Sequence, residues 1–457
     1  MAGGFDGESR PHGKRSGSEP VKPADVARAM VATDNFRATA TGTIYFYNPD
    51  RHQWRRIHET ELNKLIHDNA GRVAEAKSFR AEVRENLAMF SLDADLKFGR
   101  VAGTEIPLKT GVLDLASGRH RSHNRDDMLE RVLPHDYDPD AVAETWDRAL
   151  VMWFGQPDGT LDSRAVALQE FAGYVLLPHA RFKKALMMYG PGDTGKSEVI
   201  WMLQQLVGRD ACCALSVDAM DDPVKLTVLR GKLLNVMSEL SGQSLVRDSG
   251  FKTLVSTEEQ VMLNPKYEPV EMYLPIAKHV IGTNEFPKMK GRTAEVFNRL
   301  LIVPMTQVVA KRDQDPDFRD KLQAELPGLF AWAVEGAKRL IRQRGQFTEP
   351  EGRAGVLDQW QQESNPVVDW LANHLRPREG NNLPLSHLAK LATIDLRRGV
   401  TSTEIGKAAR ERGLPVASVR PRSTDGKVTR TAQCVSGFEV FSLADFTDSE
   451  DEDDDMG

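Results

Sequence analysis

Cysteine is scarce: Cys212, Cys213 and Cys434 are the only three in 457 residues. Three thiols cannot build a disulfide framework, and no C-x-x-C pair offers the ligand spacing of a zinc site. The eleven histidines are scattered, with no H-E-x-x-H or H-x-E arrangement. His279, set in an apolar run, reads as a core residue rather than a metal ligand. Long hydrophobic runs are missing as well. Leu300–Pro304 is among the longest, far short of the ~20 apolar residues that a membrane helix needs. The opening stretch Met1–Pro20 is polar and rich in glycine and serine, without the apolar core of a secretory signal. These absences exclude a disulfide- or zinc-stapled scaffold and a helical membrane protein, and lead us to expect a reduced, cytoplasmic chain.

What is present is ordinary globular material, 40% hydrophobic and 28% charged. At roughly 100–200 residues per domain, the length suggests two to four units. The net charge of -6 is unevenly placed. Asp448–Asp455 carries seven acids in eight residues, and setting these seven aside turns the net charge to +1. Such a run repels itself and has nothing to bury, so it reads as solvated and disordered. It also has the charge to dock on a basic partner.

Hydrophobic periodicity divides the chain coarsely. Residues 1–22 read as disordered. Thr43–Tyr47 reads as a strand, with a turn at Asn48-Pro49-Asp50, and Glu59–Met89 as helices. Ile106–Arg121 reads as one hairpin of two runs about Ser117-Gly118. Ala141–Leu177 is helical, with Trp146, Trp153 and Phe171 as core anchors. From Phe182 to about Val308 short apolar strands alternate with helices, the pattern of an α/β domain. Phe318–Arg344 and Val356–Leu375 are helical. A break at Gly380-Asn381-Asn382 opens a last module, which runs to about Asp445.

The strongest chemical signal is Gly190, Pro191, Gly192, Asp193, Thr194, Gly195, Lys196 and Ser197, a full G-x-x-x-x-G-K-[ST] match. It stands between a buried-strand run, Leu186–Tyr189, and a helical run, Ser197–Val207, the context that such a motif requires. Backbone N–H groups of a glycine loop at a helix N-terminus surround phosphates. Lys196 is placed to reach the β- and γ-phosphates, and the Ser197 hydroxyl to ligate Mg²⁺. Glu239 ends the apolar strand run 231–239 and is an acid for polarising water, for Mg²⁺, or for both, although Ser238 stands where a second acid is usual. Asn284 ends the run 278–284 and can read a γ-phosphate or the attacking water, or serve as a turn residue. Arg299, at the head of Leu300–Pro304, can project toward a neighbouring subunit or make a surface salt bridge, with Arg292 as a competitor. Gln260–Pro275 reads as two strands about a tip carrying Lys266 and Tyr267. A lysine beside an aromatic there suits a nucleic-acid strand, or simply a solvated hairpin.

These motifs, in this order, resemble the phage/plasmid primase–helicase family, whose motor is a superfamily 3 viral-type helicase domain. The likeness covers most of residues 100–345, including Thr110–Gly118, Leu133–Pro139, Leu168–Tyr174 and Glu325–Gly336. It implies an α/β fold: a P-loop NTPase core of AAA+-like type, an α+β helicase-associated domain before it and a winged helix after it. The implied domains are 23–150 (helicase-associated), 151–346 (helicase/ATPase) and 347–445 (helical linker and winged helix), with an acidic disordered tail at 446–457. Lys196 and Ser197 fall in the Walker A site and Glu239 in the Walker B site. Asn284 becomes the polar sensor, Arg299 the finger acting across a subunit interface, and Lys266 the DNA-contacting lysine. Family members often carry Arg-Arg where this chain has Asn298-Arg299.

In the last module Thr401–Gly413 reads as a recognition-type helix, and Val416–Arg422 and Val428–Phe441 as two strands. Between Arg397 and Arg430 nine basic residues face three acidic ones. Arg420, Arg422, Lys427 and Arg430 are the wing candidates for phosphate contacts; a solvated helix with a structural hairpin is the other reading. The resemblance thus implies an ATP- and Mg²⁺-dependent DNA helicase of phage or mobile-element replication. It would form a homo-oligomeric ring, a hexamer, on single-stranded DNA in the host cytoplasm. Fewer than ~100 residues precede the helicase-associated part, at the low end of domain sizes. We therefore expect no primase activity in this chain, with a separate primase or another replication protein as a candidate partner. The alternative expectation is an ATP-binding replication initiator or scaffold with little unwinding.

Overall fold

The computed structural model describes residues 20–99, 101–237, 245–256, 259–266, 270–290, 293–364, 366–419 and 431–440. The chain separates into two compact units, Met1–Asp136 and Tyr137–Gly457.

The first unit opens with α1 (Pro23–Val31), followed by the strands β1 (Phe36–Ala38), β2 (Ile44–Asn48) and β3 (Gln53–Arg56). These three pair antiparallel in the order β1-β2-β3. The turn between β2 and β3 is set by Asn48, whose Oδ1 accepts from the backbone N–H of Asp50 and Arg51, an Asx turn. Helices α2 (Glu59–Ala70) and α3 (Lys77–Phe90) follow. Val26 and Met30 on α1 pack with Leu62, Ile66, Val83 and Leu87 on the other two helices, each at helical spacing. The strands β4 (Glu105–Leu108), β5 (Gly111–Asp114) and β6 (His120–Arg121) correct one expectation. Residues 106–121 form a three-stranded meander rather than one hairpin, because the chain already reverses at Lys109-Thr110. Gly111 packs so closely on His120 and Arg121 that a side chain there would meet the Arg121 carbonyl at 2.3 Å.

The second unit begins with α4 (Glu144–Phe154) and α5 (Ser163–Leu176), then β7 (Ala185–Tyr189), α6 (Lys196–Val207), β8 (Cys212–Cys213) and β9 (Leu234–Met237). The expected core anchors Trp146, Trp153 and Phe171 are buried. Next come β10 (Leu245–Arg247), α7 (Asp248–Ser256) and the short ribbon β11 (Val261–Leu263) and β12 (Glu271–Tyr273). They lead into β13 (Lys278–Thr283), β14 (Lys288–Lys290), α8 (Thr293–Phe297) and β15 (Leu300–Pro304).

Five of these strands make one parallel sheet in the order β15-β7-β13-β9-β8. The four longer ones are almost wholly buried along their length, which is why they read as continuous apolar runs instead of alternating ones. Their C-terminal ends, at Tyr189, Met237, Thr283 and Pro304, lie on one edge, where open α/β sheets bind ligands. The fold is thus mixed α/β, built around a parallel sheet.

Helices α9 (Phe318–Ala324), α10 (Leu326–Arg342) and α11 (Arg353–Ser364) come next. Helix α10 crosses α5 at two glycines. A Cβ on Gly173 would lie 2.1 Å from the Ala337 nitrogen, and one on Gly336 would lie 1.9 Å from the Gln169 carbonyl oxygen. The last part comprises α12 (Pro366–His374), β16 (Leu375–Pro384), α13 (Leu385–Asp395), α14 (Ser402–Glu411), β17 (Val416–Val419) and β18 (Ala432–Val440). Its sheet is antiparallel in the order β16-β18-β17, and its own core joins Trp370, Leu388, Ile405 and Val435. The break expected at Gly380-Asn381-Asn382 is instead a bulge inside β16. The pairing shifts between Pro377 and Asn382, and Gly380 adopts a φ of +78°, so extra residues are absorbed without ending the strand. Helix α14 starts where its sequence says it should, with Thr401 and Glu404 forming a capping box. Among the described residues no helix is long and apolar enough to cross a membrane.

A lysine lies inside the second unit. Lys278, at the start of β13, is 1% exposed. Its Nζ donates to the Leu177 carbonyl and sits 5.3 Å from the centre of the Tyr174 ring. Burial pushes its pKa down to about 7, against roughly 10.4 for an unfolded lysine. Between those values the unfolded chain holds a proton that the folded chain lacks, so stability rises with pH; below about 7 the full cost of burying the cation remains. Lys278→Met is therefore expected to raise Tm more at pH 6.5 than at pH 9.5. Thermal melts at the two pH values check this, and a pH-independent difference refutes it.

Candidate functional site

The glycine loop 190–195 joins β7 to α6 at the C-terminal edge of the sheet. Neighbouring strand ends clamp its base. The Gly190 N–H donates to the Thr283 carbonyl at 3.2 Å, and the Met305 N–H donates to the Tyr189 carbonyl at 2.7 Å. There is no room for a side chain at Gly190, where a Cβ would lie 1.9 Å from the Met305 oxygen. Farther along, Asp193 and Gly195 take left-handed conformations, with φ of +58° and +88°. They turn the backbone so that α6 begins at Lys196 with its N-terminal N–H groups facing the loop. The Val309 N–H pins the turn by donating to the Asp193 carbonyl at 2.8 Å. Gly192 faces open space, with nothing within 4 Å of a Cβ built on it.

Lys196 folds back over this loop. Its Nζ donates to the carbonyls of Gly190 at 2.8 Å and Pro191 at 2.5 Å and to Thr194 Oγ1 at 3.2 Å. Burial lowers its pKa, with Asp193 opposing the shift. The ammonium is thus held by neutral acceptors that an anion can replace. Ser197, next on the helix, is exposed. Loop N–H groups, a helix N-terminus and a lysine converge on one spot, the arrangement that favours a phosphate.

The other expected residues fall in three groups. Asn284 belongs with the loop: it follows Thr283, whose carbonyl receives the Gly190 N–H, and it is exposed at the tip of β13. In the sheet order β13 lies between the loop strand β7 and β9, so the amide stands at the tip between the ends of those two strands. Arg299 does not join the loop of its own chain. It precedes β15, and Leu300 is paired with Ala185 at the start of β7, whereas Pro304 is paired with Tyr189. At about 3.3 Å per residue this sets Arg299 roughly 16 Å away along the strand. Its Nη1 donates to the Glu295 carbonyl at 3.2 Å, and its Nε has no partner among the described residues. Lys266 is exposed on the separate β11–β12 ribbon. Glu239, Tyr267, Arg292, Arg420, Arg422, Lys427 and Arg430 lie outside the described residues.

His279 is a core residue, as its setting implied. It is fully buried, its Nδ1 lies 3.1 Å from the Asn235 amide nitrogen, and burial lowers its pKa to about 4. Among the described residues no cluster of three His, Cys, Asp or Glu could hold a metal by itself.

Three features of the site escaped the sequence reading. Trp153 on α4 lies against Gly195, where a Cβ would sit 2.4 Å from the indole; the sequence marked Trp153 as an anchor but not as the wall of the loop. Tyr189 stacks on Phe286 at 4.1 Å, and Phe286 stacks on Trp360 of α11 at 5.4 Å, tying the ends of β7 and β13 together. Arg319 on α9 makes a two-pronged ion pair with Glu198 in the first turn of α6, at 2.8 and 3.0 Å. These partners are far apart in the chain, and only an apolar or charged residue in an otherwise plain stretch hinted at each.

Residues 26–155 match the family described as D5 N terminal like. Residues 188–299, which include the whole loop, the end of β7 and the strands β9 and β13, match a family of unknown function, DUF5906. Among solved structures, the apo C-terminal region of NrS-1 (residues 305–718) resembles the chain with a TM-score of 0.55 at 13% identity, over 92% of this chain and 100% of that one. The A-form apo structure of the same region gives a TM-score of 0.55 at 12% identity with the same coverage. At such identity the likeness is one of fold.

Gly195→Ala is expected to cost about 1–3 kcal/mol of stability, because the methyl group meets Trp153 and the left-handed backbone strains. Urea denaturation measures it, and an unchanged midpoint refutes the close packing of loop and indole.

Proposed function

We propose that the chain is an ATP-dependent DNA helicase of phage or mobile-element replication, with a P-loop NTPase motor of the AAA+-like superfamily 3 type. The observation that carries this reading is the glycine loop. Its left-handed turn at Asp193 and Gly195 aims a helix N-terminus and Lys196 at one spot on the C-terminal edge of a parallel sheet, with Asn284 on the adjoining strand. The D5 N-terminal-like match and the fold shared with the NrS-1 C-terminal region support a place in phage replication of the primase–helicase type.

In this reading Lys196 leaves its carbonyl acceptors for the β- and γ-phosphates. Asn284 orients the attacking water or the γ-phosphate, and Glu239 polarises that water. Mg²⁺ keeps several waters and binds through few protein oxygens plus substrate phosphates; the exposed Ser197 hydroxyl would be one such oxygen, with Glu239 the other by the sequence reading. When bound it neutralises charge on the β- and γ-oxygens. Arg299, at the far end of β15 from its own loop, serves the loop of a neighbouring copy, and this makes the active form a ring, taken as a hexamer. Lys266 on the β11–β12 ribbon contacts single-stranded DNA. The ribbon is spliced between β9 and β13 in the chain. The order helix, strand, helix, helix, strand, strand from α12 to β18 supports a winged helix as a second DNA contact, with α14 as its recognition helix.

A second reading, an ATP-binding initiator or scaffold with little unwinding, draws support from that C-terminal module and from Ser238 in place of a second acid.

Lys196→Ala is expected to abolish DNA-stimulated ATP hydrolysis, a loss of at least ~10²-fold, and strand displacement with it. ATP-dependent assembly of the wild type without displacement favours the scaffold, and ATP turnover unaffected by the substitution defeats both readings. Mixing Lys196→Ala with Arg299→Ala protein is expected to regain activity, since each supplies what the other lacks at a shared boundary. A mixture that stays inert refutes action across subunits.

A further inference from the structure

Two consecutive rings end α4. Trp153 lies against Gly195 of the loop, and Phe154 lies under Arg164 of α5, 5.1 Å from its guanidinium carbon. Arg164 is tightly held. Asp162 caps α5 by accepting from the Arg164 backbone N–H at 2.7 Å. The same carboxylate takes the guanidinium Nε at 3.0 Å and Nη2 at 2.6 Å. Only 14% of the Arg164 side chain and 2% of the Asp162 side chain are exposed. A pair so enclosed adds little net stability over apolar residues of similar volume. Its worth lies in where it aims the third nitrogen, because a guanidinium is a rigid fork that can fill a carboxylate and still point elsewhere.

That nitrogen, Nη1, reaches the segment that leaves β15. It donates to the Pro304 carbonyl at 3.0 Å and to Thr306 Oγ1 at 3.2 Å. These two acceptors bracket Met305, whose carbonyl oxygen passes 1.9 Å from where a Cβ on Gly190 would be and whose N–H holds the Tyr189 carbonyl. Farther on, the Val309 N–H holds the Asp193 carbonyl, and Thr306, Gln307 and Val308 between these points are exposed. Residues 304–309 therefore form a strap that touches the glycine loop near its base and at its left-handed turn, and Arg164 fastens the near end of the strap to α5.

We propose that Arg164 is a positioning residue for the phosphate site: by holding the strap 304–309 it keeps the glycine loop in the shape that receives a triphosphate. The inference rests on the triphosphate reading of the loop. Calorimetric titration of the full chain with Mg²⁺-ATP, its ATP turnover with single-stranded DNA, and thermal melts without nucleotide test it together. Asp162→Asn/Arg164→Met keeps a capping side chain and the packing on Phe154 and leaves no lone charge buried, so its melt is expected to stay near that of wild type. Its affinity for Mg²⁺-ATP should nonetheless fall at least about fivefold, because the ligand must then order a loosened loop. KM should rise in step while kcat stays within about twofold of wild type. Arg164→Lys preserves the charge pair with Asp162 but not the fork. It should show the same loss of affinity, and it carries the test where the double variant does not fold. Wild-type affinity in a folded variant overturns the proposal. So does a fall in kcat at unchanged KM, which belongs to a group acting on the chemistry. A wild type that binds no Mg²⁺-ATP refutes the triphosphate reading itself and takes the role of Arg164 with it.

Discussion

Close backbone contact at the edge of the parallel sheet is the constraint on which the rest of the structure depends. Gly190 fits only because it lacks a side chain where Met305 passes, and Gly195 only because it lacks one where Trp153 lies. Between them Asp193 pays for a left-handed conformation and is held there by Val309. The loop is thus fixed from three directions, by strand ends, by a tryptophan from α4 and by the segment after β15. Its donors are arranged before any anion arrives, so little ordering cost is left to binding.

That pre-arrangement needs a rigid base. The sheet strands are buried on both faces, and the crossing of α5 and α10 at Gly173 and Gly336 brings two helix backbones into direct contact. Polar groups inside are used sparingly and are mostly paired. Asn235 holds the Leu215 backbone by both ends of its amide, and Lys278 is anchored on a carbonyl. Such interiors transmit a shift at one strand tip instead of absorbing it.

What could be read from the sequence was what is local. The glycine loop, its flanking strand and its helix lie within one short stretch, so residue type and spacing disclosed them, and the buried strands announced themselves as apolar runs. The helix read over Thr401–Gly413 likewise lies where α14 does, Ser402–Glu411. What stayed hidden depends on partners brought together by folding. Nothing near Glu198 foretells Arg319, and nothing near Phe286 foretells Trp360. The two misread segments share one cause. Turn-forming residues at Gly380-Asn381-Asn382 overstated a break that pairing with β18 bridges, and the reversal at Lys109-Thr110 had no strong turn signal of its own. Register with a neighbouring strand, a non-local property, decided both.

The ring stack of Tyr189, Phe286 and Trp360 carries one more implication. Trp360 also donates its indole N–H to the Pro287 carbonyl, so the segment just after Asn284 is gripped through both side chain and main chain by the helix that leads toward the C-terminal module. The three rings thus join α11 to the ends of β7 and β13, and a displacement of that helix cannot leave the strand ends beside the loop untouched.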